Sequence, residues 1–274
     1  MLKPYLALVF IICSCTLVFS QSSKLDRAKE SLTDSSTPTS ISNSESNNRN
    51  DSSGSGSLLG SLILDIFAYT AYGVLVESPW EMDTDMHFAN FTNYPYQNRG
   101  IGNFTYSNLG EDIKLSRLDI RNTFLLGSRN LFGSHFGAEF RFFQRMNLEV
   151  EHLQLFEFIN GDTETFSLTS ILLNYHRIRT QNVDLYFGIG VMHVGSGVNE
   201  TGLSYNIGAE WFIRKPLSLL VSHKGTSINS QPVRKTKAVV KYHFKNYHAS
   251  VGQEYFTLGD IQINPFSIGI GASF

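Results

Sequence analysis

His193 and Ser196 stand three positions apart in this chain, with Glu200 four residues further on. A histidine that takes a proton from a serine hydroxyl, oriented by a carboxylate, is the minimum set for nucleophilic catalysis. Both candidates lie at the end of a predicted strand beside a Gly195-Ser196-Gly197 turn, and the next carboxylate, Glu210, belongs to the opposite end of its own strand. A wall histidine beside a flexible turn accounts for the same residues, and the expectation is a non-enzymatic protein. The remaining histidines show no metal-ligand spacing. The only cysteines are Cys13 and Cys15, so a disulfide framework or cysteine zinc site in the body of the chain is excluded. Glu81, Asp83 and Asp85 do not follow the spacing of a calcium loop, and no phosphate or dinucleotide fingerprint occurs. Neither a cofactor nor a metal is expected.

A second set of chemically capable residues is larger. Lys224, Lys235, Lys237 and Lys241 recur on one face of two predicted strands, and no Asp or Glu occurs from 211 to 253. Glu139, Glu149 and Glu151 share a face of two others. If both faces line one cavity, they form a basic and an acidic wall about half a turn apart. That arrangement makes either a charged pore with a transverse field or a salt-bridged core filling the cavity. Over 274 residues, 22 Lys+Arg balance 24 Asp+Glu, which argues against a nucleic-acid partner.

The elements that carry these residues alternate with period two. Arg117, Asp119, Arg121 and Thr123 interleave with Leu118, Ile120, Asn122 and Phe124. His135, Gly137, Glu139 and Arg141 interleave with Phe136, Ala138, Phe140 and Phe142. The same pattern recurs to the C-terminus, as strands with one apolar and one polar face require. Ten are predicted, at roughly 114–126, 134–143, 146–158, 165–176, 183–194, 202–213, 216–226, 234–244, 247–257 and 261–274. The third and fourth alternate less cleanly and are expected to hold bulges. Ten successive strands without helices predict an all-β, antiparallel up-and-down barrel, which removes exposed edges.

Two barrels fit such alternation: a soluble calycin-like barrel with its apolar face around a hydrophobic ligand, and a transmembrane barrel with that face outward. Strands of this length suit a tilted crossing, which takes about 9–11 residues. The polar face is too charged to surround an apolar ligand, and its glycines suit a crowded interior that ten strands leave narrow. Gly188, Gly190 and Gly208 leave room for large neighbours such as Tyr186. Aromatic residues gather at the strand ends: Phe124, Phe156, Phe158, Phe166 and Phe266 at one, and Phe142, Trp211, Tyr242, Phe244, Tyr247 and Phe274 at the other. These read as two interfacial girdles.

Four regions follow. Residues 1–20, with Lys3 and an apolar run over 6–19, read as a secretory signal peptide; acylation at Cys15 is the rival processing. Residues 21–57 contain 13 serines and read as a disordered linker. Residues 58–113 read as an apolar and aromatic periplasmic segment: Leu58–Val76 as a helix lying on a membrane surface or packed against the domain that follows, then an extended stretch with Trp80, Tyr94-Pro95-Tyr96 and Phe104. Residues 114–274 form the barrel.

The chain ends Phe266-Ser-Ile268-Gly-Ile270-Gly-Ala272-Ser-Phe274, apolar at alternate positions with a terminal phenylalanine. This resembles the C-terminal signal of Gram-negative outer-membrane β-barrel proteins, and the Phe19-Ser20-Gln21 junction resembles exported Bacteroidota proteins. The resemblance implies a small outer-membrane barrel, with outer-membrane lipid and the barrel-assembly machinery as partners and oligomeric state open. The role it leaves is a structural component or narrow, porin-like pore. With the C-terminus periplasmic and an even strand count, both termini are expected there. His193 and Ser196 resemble the His-x-Ser of outer-membrane lipid A deacylases, although the spacing here is one residue longer. That resemblance implies a lipid-modifying enzyme as the alternative.

Overall fold

The computed structural model describes residues 23–33, 89–92, 94–96, 101–105, 116–127, 130–159 and 161–274. The predicted signal peptide, most of the linker and the apolar stretch 58–76 lie outside them.

The body is a closed ten-strand antiparallel barrel. Its strands are β3 (Ser116–Leu126), β4 (Leu131–Phe142), β5 (Met146–Ile159), β6 (Asp162–Arg179), β7 (Val183–Val194), β8 (Glu200–Arg214), β9 (Leu217–Ile228), β10 (Gln231–Phe244), β11 (Tyr247–Leu258) and β13 (Phe266–Ser273). Each pairs with its sequence neighbour, and β13 closes the ring on β3, with Ile268 opposite Phe124 and Ala272 opposite Ile120. The short β12 (Ile261–Ile263) extends the last position along β11. Asn264-Pro265 divides what the sequence predicts as one strand over 261–274, because proline has no N–H for the ladder. Bulges were expected in the third and fourth strands. The third is regular; register shifts fall in the fourth, between His176 and Ile178, and in the sixth, between Phe212 and Arg214.

The two faces follow the alternation. Apolar side chains point outward, with Ile189 74% and Leu203 86% exposed in the isolated chain. Acidic and basic side chains such as Glu149, Glu151, Lys224 and Lys235 point inward and are buried. This is the membrane arrangement and the reverse of a ligand-binding calycin. Trp211, Tyr242, Phe244, Tyr247 and Phe274 are exposed near one end of the wall. Phe166, predicted for the girdle at the other end, is fully buried in the interior. It shares its face with Leu168, Ser170, Leu172 and Asn174, so the period of two sends it inward whatever its height.

Ser116 and Phe274 lie at one mouth, called here the C-terminal mouth, as an even number of strands requires. The turns there are short, as at 143–145 and 245–246. At the opposite mouth, Asn229-Ser230 makes a two-residue turn with both residues at positive φ, which matches the twist of paired strands.

Two elements precede the barrel and occupy its mouths. Helix α1 (Lys24–Thr33) lies in the opposite mouth, contacting β5, β6, β11 and β12. Strands β1 (Asn90–Phe91) and β2 (Phe104–Thr105) pair at the C-terminal mouth. One expectation is thereby corrected. The 21–57 segment is not linker throughout, because Leu25, Ala28 and Leu32 recur at helical spacing and are fully buried.

Candidate functional site: a barrel interior filled in three layers

The interior is organised along the barrel axis. At the α1 mouth the inward residues turn apolar: Leu125, Leu131, Leu153, Leu155, Phe166 and Met192 form a collar. Helix α1 fills it with Leu25, Ala28 and Leu32. Its ends are fixed by polar bonds. Ser23 caps the helix, its Oγ accepting from Asp26 N at 3.1 Å. Glu157 Oε2 accepts from both Ser23 Oγ and Leu25 N at 2.9 Å, so a carboxylate meets the positive end of the helix. Lys29 pairs with Glu164 at 2.6 Å. At the other end, Leu32 O accepts from Asn229 Nδ2 at 2.8 Å.

The central layer is ionic. Glu151 on β5 accepts from Lys224 Nζ on β9 at 2.6 Å, from Lys237 Nζ on β10 at 3.4 Å, and from Lys235 and Arg121 at short range. Glu149 accepts from Arg121 at 2.8 Å and Lys224 at 2.9 Å. Asn174 Nδ2 and Asn206 Nδ2 add bonds to Glu149 at 3.0 and 3.1 Å. Glu139 pairs with Arg121. His135 lies between Glu254 (3.2 Å) and Lys235 Nζ (3.1 Å). Four carboxylates (Glu139, Glu149, Glu151, Glu254) thus meet four cations (Arg121, Lys224, Lys235, Lys237). In the ring, β9 and β10 stand four and five strands from β5. The ion pairs therefore cross the full width of the interior.

All seven residues of the predicted charged walls point inward, the acidic set on β4 and β5 and the basic set across the ring on β9 and β10, and they meet in two groups. Lys241 joins Glu210 at 3.1 Å, nearer the C-terminal mouth. The other six meet in the central layer. Direct pairing replaces the transverse field. Arg121, Glu254 and His135 complete the layer; their inward alternation is visible in the sequence, while their partners depend on which strands face across the ring. Gly208 and Tyr186 are cross-strand partners, and a Cβ on Gly208 would lie 2.5 Å from Tyr186 Cζ.

The third layer closes the C-terminal mouth. Arg141 binds Asp184 at 2.9 Å and Asp119 at 3.3 Å, and His176 Nδ1 lies 2.5 Å from Asp184 Oδ1. The β1–β2 unit docks on this network. Asn103 Nδ2 donates to Asp184 at 3.2 Å, and Arg117 donates to Asn103 Oδ1 at 3.0 Å. Tyr96 sets its ring edge-on to Phe212 and His243, and its hydroxyl donates to Leu217 O at 2.6 Å. Burial, with Glu210 nearby, pushes this phenol up to about 12, so it remains a donor at ordinary pH. A cavity of about 30 Å³ remains between Arg121, Glu139, Tyr186 and His248, room for one or two waters.

The candidate dyad is not assembled. His193 is on the outer face and its Nδ1 lies 2.9 Å from Thr201 Oγ1, while Ser196 Oγ donates to Ser167 Oγ at 3.1 Å. Phe266, Ile268, Ile270 and Phe274 of the terminal pattern all point outward and are exposed.

No protein-family model matches the sequence, and no curated protein is similar to it. Among solved structures, it is similar to the NanC porin at 8% identity over 57% of this chain and 98% of that one, with a TM-score of 0.38. It is similar to the KdgM porin at 11% identity over 58% and 99%, with a TM-score of 0.35. Ail, the attachment invasion locus protein of Yersinia pestis, matches at 12% identity over 58% and 96%, with a TM-score of 0.28.

Proposed function

We propose that this chain is an integral outer-membrane β-barrel with a structural, non-enzymatic role, closed to solutes at rest. The observation that carries the reading is the central ionic layer. Glu151 reaches lysines on the far wall, so a permeating ion would have to part bonded pairs inside a low-dielectric wall. Parting a buried pair by removing one partner costs about 3–5 kcal/mol, and here several pairs share one carboxylate. The α1 collar and the β1–β2 unit add a seal at each mouth.

The outward apolar wall, the aromatic residues near its ends and the outward-facing terminal pattern support the outer membrane as location. They also support outer-membrane lipid and the barrel-assembly machinery as partners. The deacylase-like alternative has no assembled dyad to support it.

The test is conductance of the purified, folded protein in planar bilayers. The sealed barrel gives no steady conductance above the lipid baseline. Reproducible ohmic steps with the intact protein would replace this reading with the porin-like one. Gel mobility with and without boiling, on the same sample, establishes separately that the barrel is folded.

A further inference from the structure

The outer wall is not uniform. Over β11, β13 and β3, toward the C-terminal mouth, it sinks into an apolar groove of about 590 Å³. Two rows of cross-strand partners build it. Tyr242, Ala249 and Ile270 follow one another across β10, β11 and β13, and Phe244, Tyr247, Ala272 and Ile120 across β10, β11, β13 and β3. Ala249 and Ala272 leave the floor low. The sides are Tyr242, Phe244, Tyr247 and Phe274, each more than half exposed in the isolated chain.

In lipid such a depression has a physical consequence. Apolar groups gain nothing there by leaving water, so association depends on packing. A hydrocarbon chain lying in a groove meets protein on its floor and both sides, whereas one against a flat wall meets it on one side only. The individual contacts are small and they add. The volume falls in the range of about 300–1,000 Å³ usual for ligand sites.

The lip of the groove carries a cation. Lys245, in the turn between β10 and β11, is exposed, and its Nζ lies 6.0 Å from the centre of the Phe244 ring. Among the described residues it has no carboxylate within ion-pair distance. Arg145 and Lys215 repeat the charge in the turns 143–145 and 215–216, and the turns at this mouth contain no Asp or Glu. The opposite mouth differs, since Asp162 and Glu200 open strands there and Asp260 stands in a turn. On the far side of the groove, Phe274 O accepts from Leu118 N at 3.1 Å. Basic residues just outside the hydrocarbon attract anionic headgroups, and tyrosines such as Tyr242 and Tyr247 favour the headgroup level.

We propose that the groove over β11, β13 and β3 binds one anionic phospholipid of the leaflet at the C-terminal mouth, with an acyl chain on the Ala249–Ala272 floor and the phosphate at Lys245. The proposal rests on the membrane-barrel reading above.

The experiment folds the full chain into vesicles of equal parts phosphatidylglycerol, which is anionic, and phosphatidylcholine, which is zwitterionic, with identical acyl chains. The protein is moved to a mild detergent, and the lipid it retains is read by native mass spectrometry. The parent is expected to keep one lipid and to favour phosphatidylglycerol about fivefold, as one lysine near the membrane surface gives. Lys245→Gln is expected to keep a lipid and lose the preference. Ala249→Phe fills the floor and is expected to lose the lipid with the heat-dependent gel shift intact; Ala272→Phe serves the same end should the first variant fail to fold. Ala209→Phe, on the outer face of β8 and away from the groove, is expected to keep the lipid. Equal retention of the two lipids by the parent, an unchanged preference in Lys245→Gln, or unchanged lipid in the filled-floor variants would overturn the site. A dimer that the filled-floor variants dissociate would overturn it too, because a second copy would then hold the groove. Loss of the heat-dependent gel shift in the parent chain would instead sink the membrane-barrel reading.

Discussion

Substituting Glu151 by glutamine is the most direct perturbation of the central layer. The residue is 1% exposed and keeps its volume in the change. It loses its charge while facing Lys224, Lys235, Lys237 and Arg121, so four carboxylates against four cations become three against four. The leftover positive charge falls among Lys224, Lys235 and Lys237, which are all buried. Removing one partner from a buried pair costs about 3–5 kcal/mol, or about two to three and a half orders of magnitude in the folding equilibrium at about 1.4 kcal/mol per tenfold. The assay is urea unfolding from lipid vesicles followed by tryptophan emission in a Trp80→Phe background, which reports Trp211 leaving the wall. The decisive comparison adds Lys235→Met. Among the described residues, Lys235 has no carboxylate other than Glu151 within ion-pair distance. Removing both restores a three-to-three balance, and the double variant is expected to recover more than half of the single loss, because residues in one network are not additive. A single variant within about 0.5 kcal/mol of the parent, or a double variant that merely sums two losses, would refute the reasoning: the layer would then be hydrated and its charges independent.

Other perturbations probe the remaining layers. Ile189→Arg, on the outer face in mid-strand, is expected to destabilise vesicle-inserted protein by about 2–4 kcal/mol, with little effect if that face meets water. Leu32→Ala removes a fully buried contact of α1 and is expected to lower helix docking by about 2–5 kcal/mol, read as faster proteolysis of α1 with the heat shift unchanged. Gly208→Ala presses a methyl onto Tyr186, and overpacking typically costs about 1–3 kcal/mol; adding Tyr186→Leu is expected to relieve it. His193→Ala and Ser196→Ala should each change stability by less than about 0.5 kcal/mol and leave lipid acylation unaltered, whereas altered lipid would restore the enzyme reading.

The barrel was legible because its signal is local. A period of two assigns each residue to a face without knowledge of any partner, so Lys224, Lys235 and Glu151 could be placed inward from the sequence alone. Their pairing was not legible, because it depends on which strands stand opposite once the ring closes. That is why Lys241, which alternates in step with Lys237, belongs to a different cluster with Glu210. The bulge in β8 shows the same limit: nothing in Phe212-Ile213-Arg214 marks which residue leaves the ladder.

Helix α1 was hidden for another reason. Averaged over 21–57, the serines outweigh Leu25, Ala28 and Leu32, and a window of ten residues is needed to see their spacing. The barrel itself carried a second clue. Along β5 the inward face reads Asn147, Glu149, Glu151, then Leu153 and Leu155; along β6 it reads Phe166 and Leu168 before Ser170 and Asn174. A polar interior that turns apolar toward one mouth cannot be left to water there, since each buried leucine-sized side chain contributes roughly 1.5–3 kcal/mol only when covered. Lipid does not reach that face. Such a collar demands an apolar cover from elsewhere in the chain, and the amphipathic decapeptide ahead of the barrel meets that demand. Reading inward residues by height, as well as by face, would have turned Phe166 from a girdle residue into evidence for a plug.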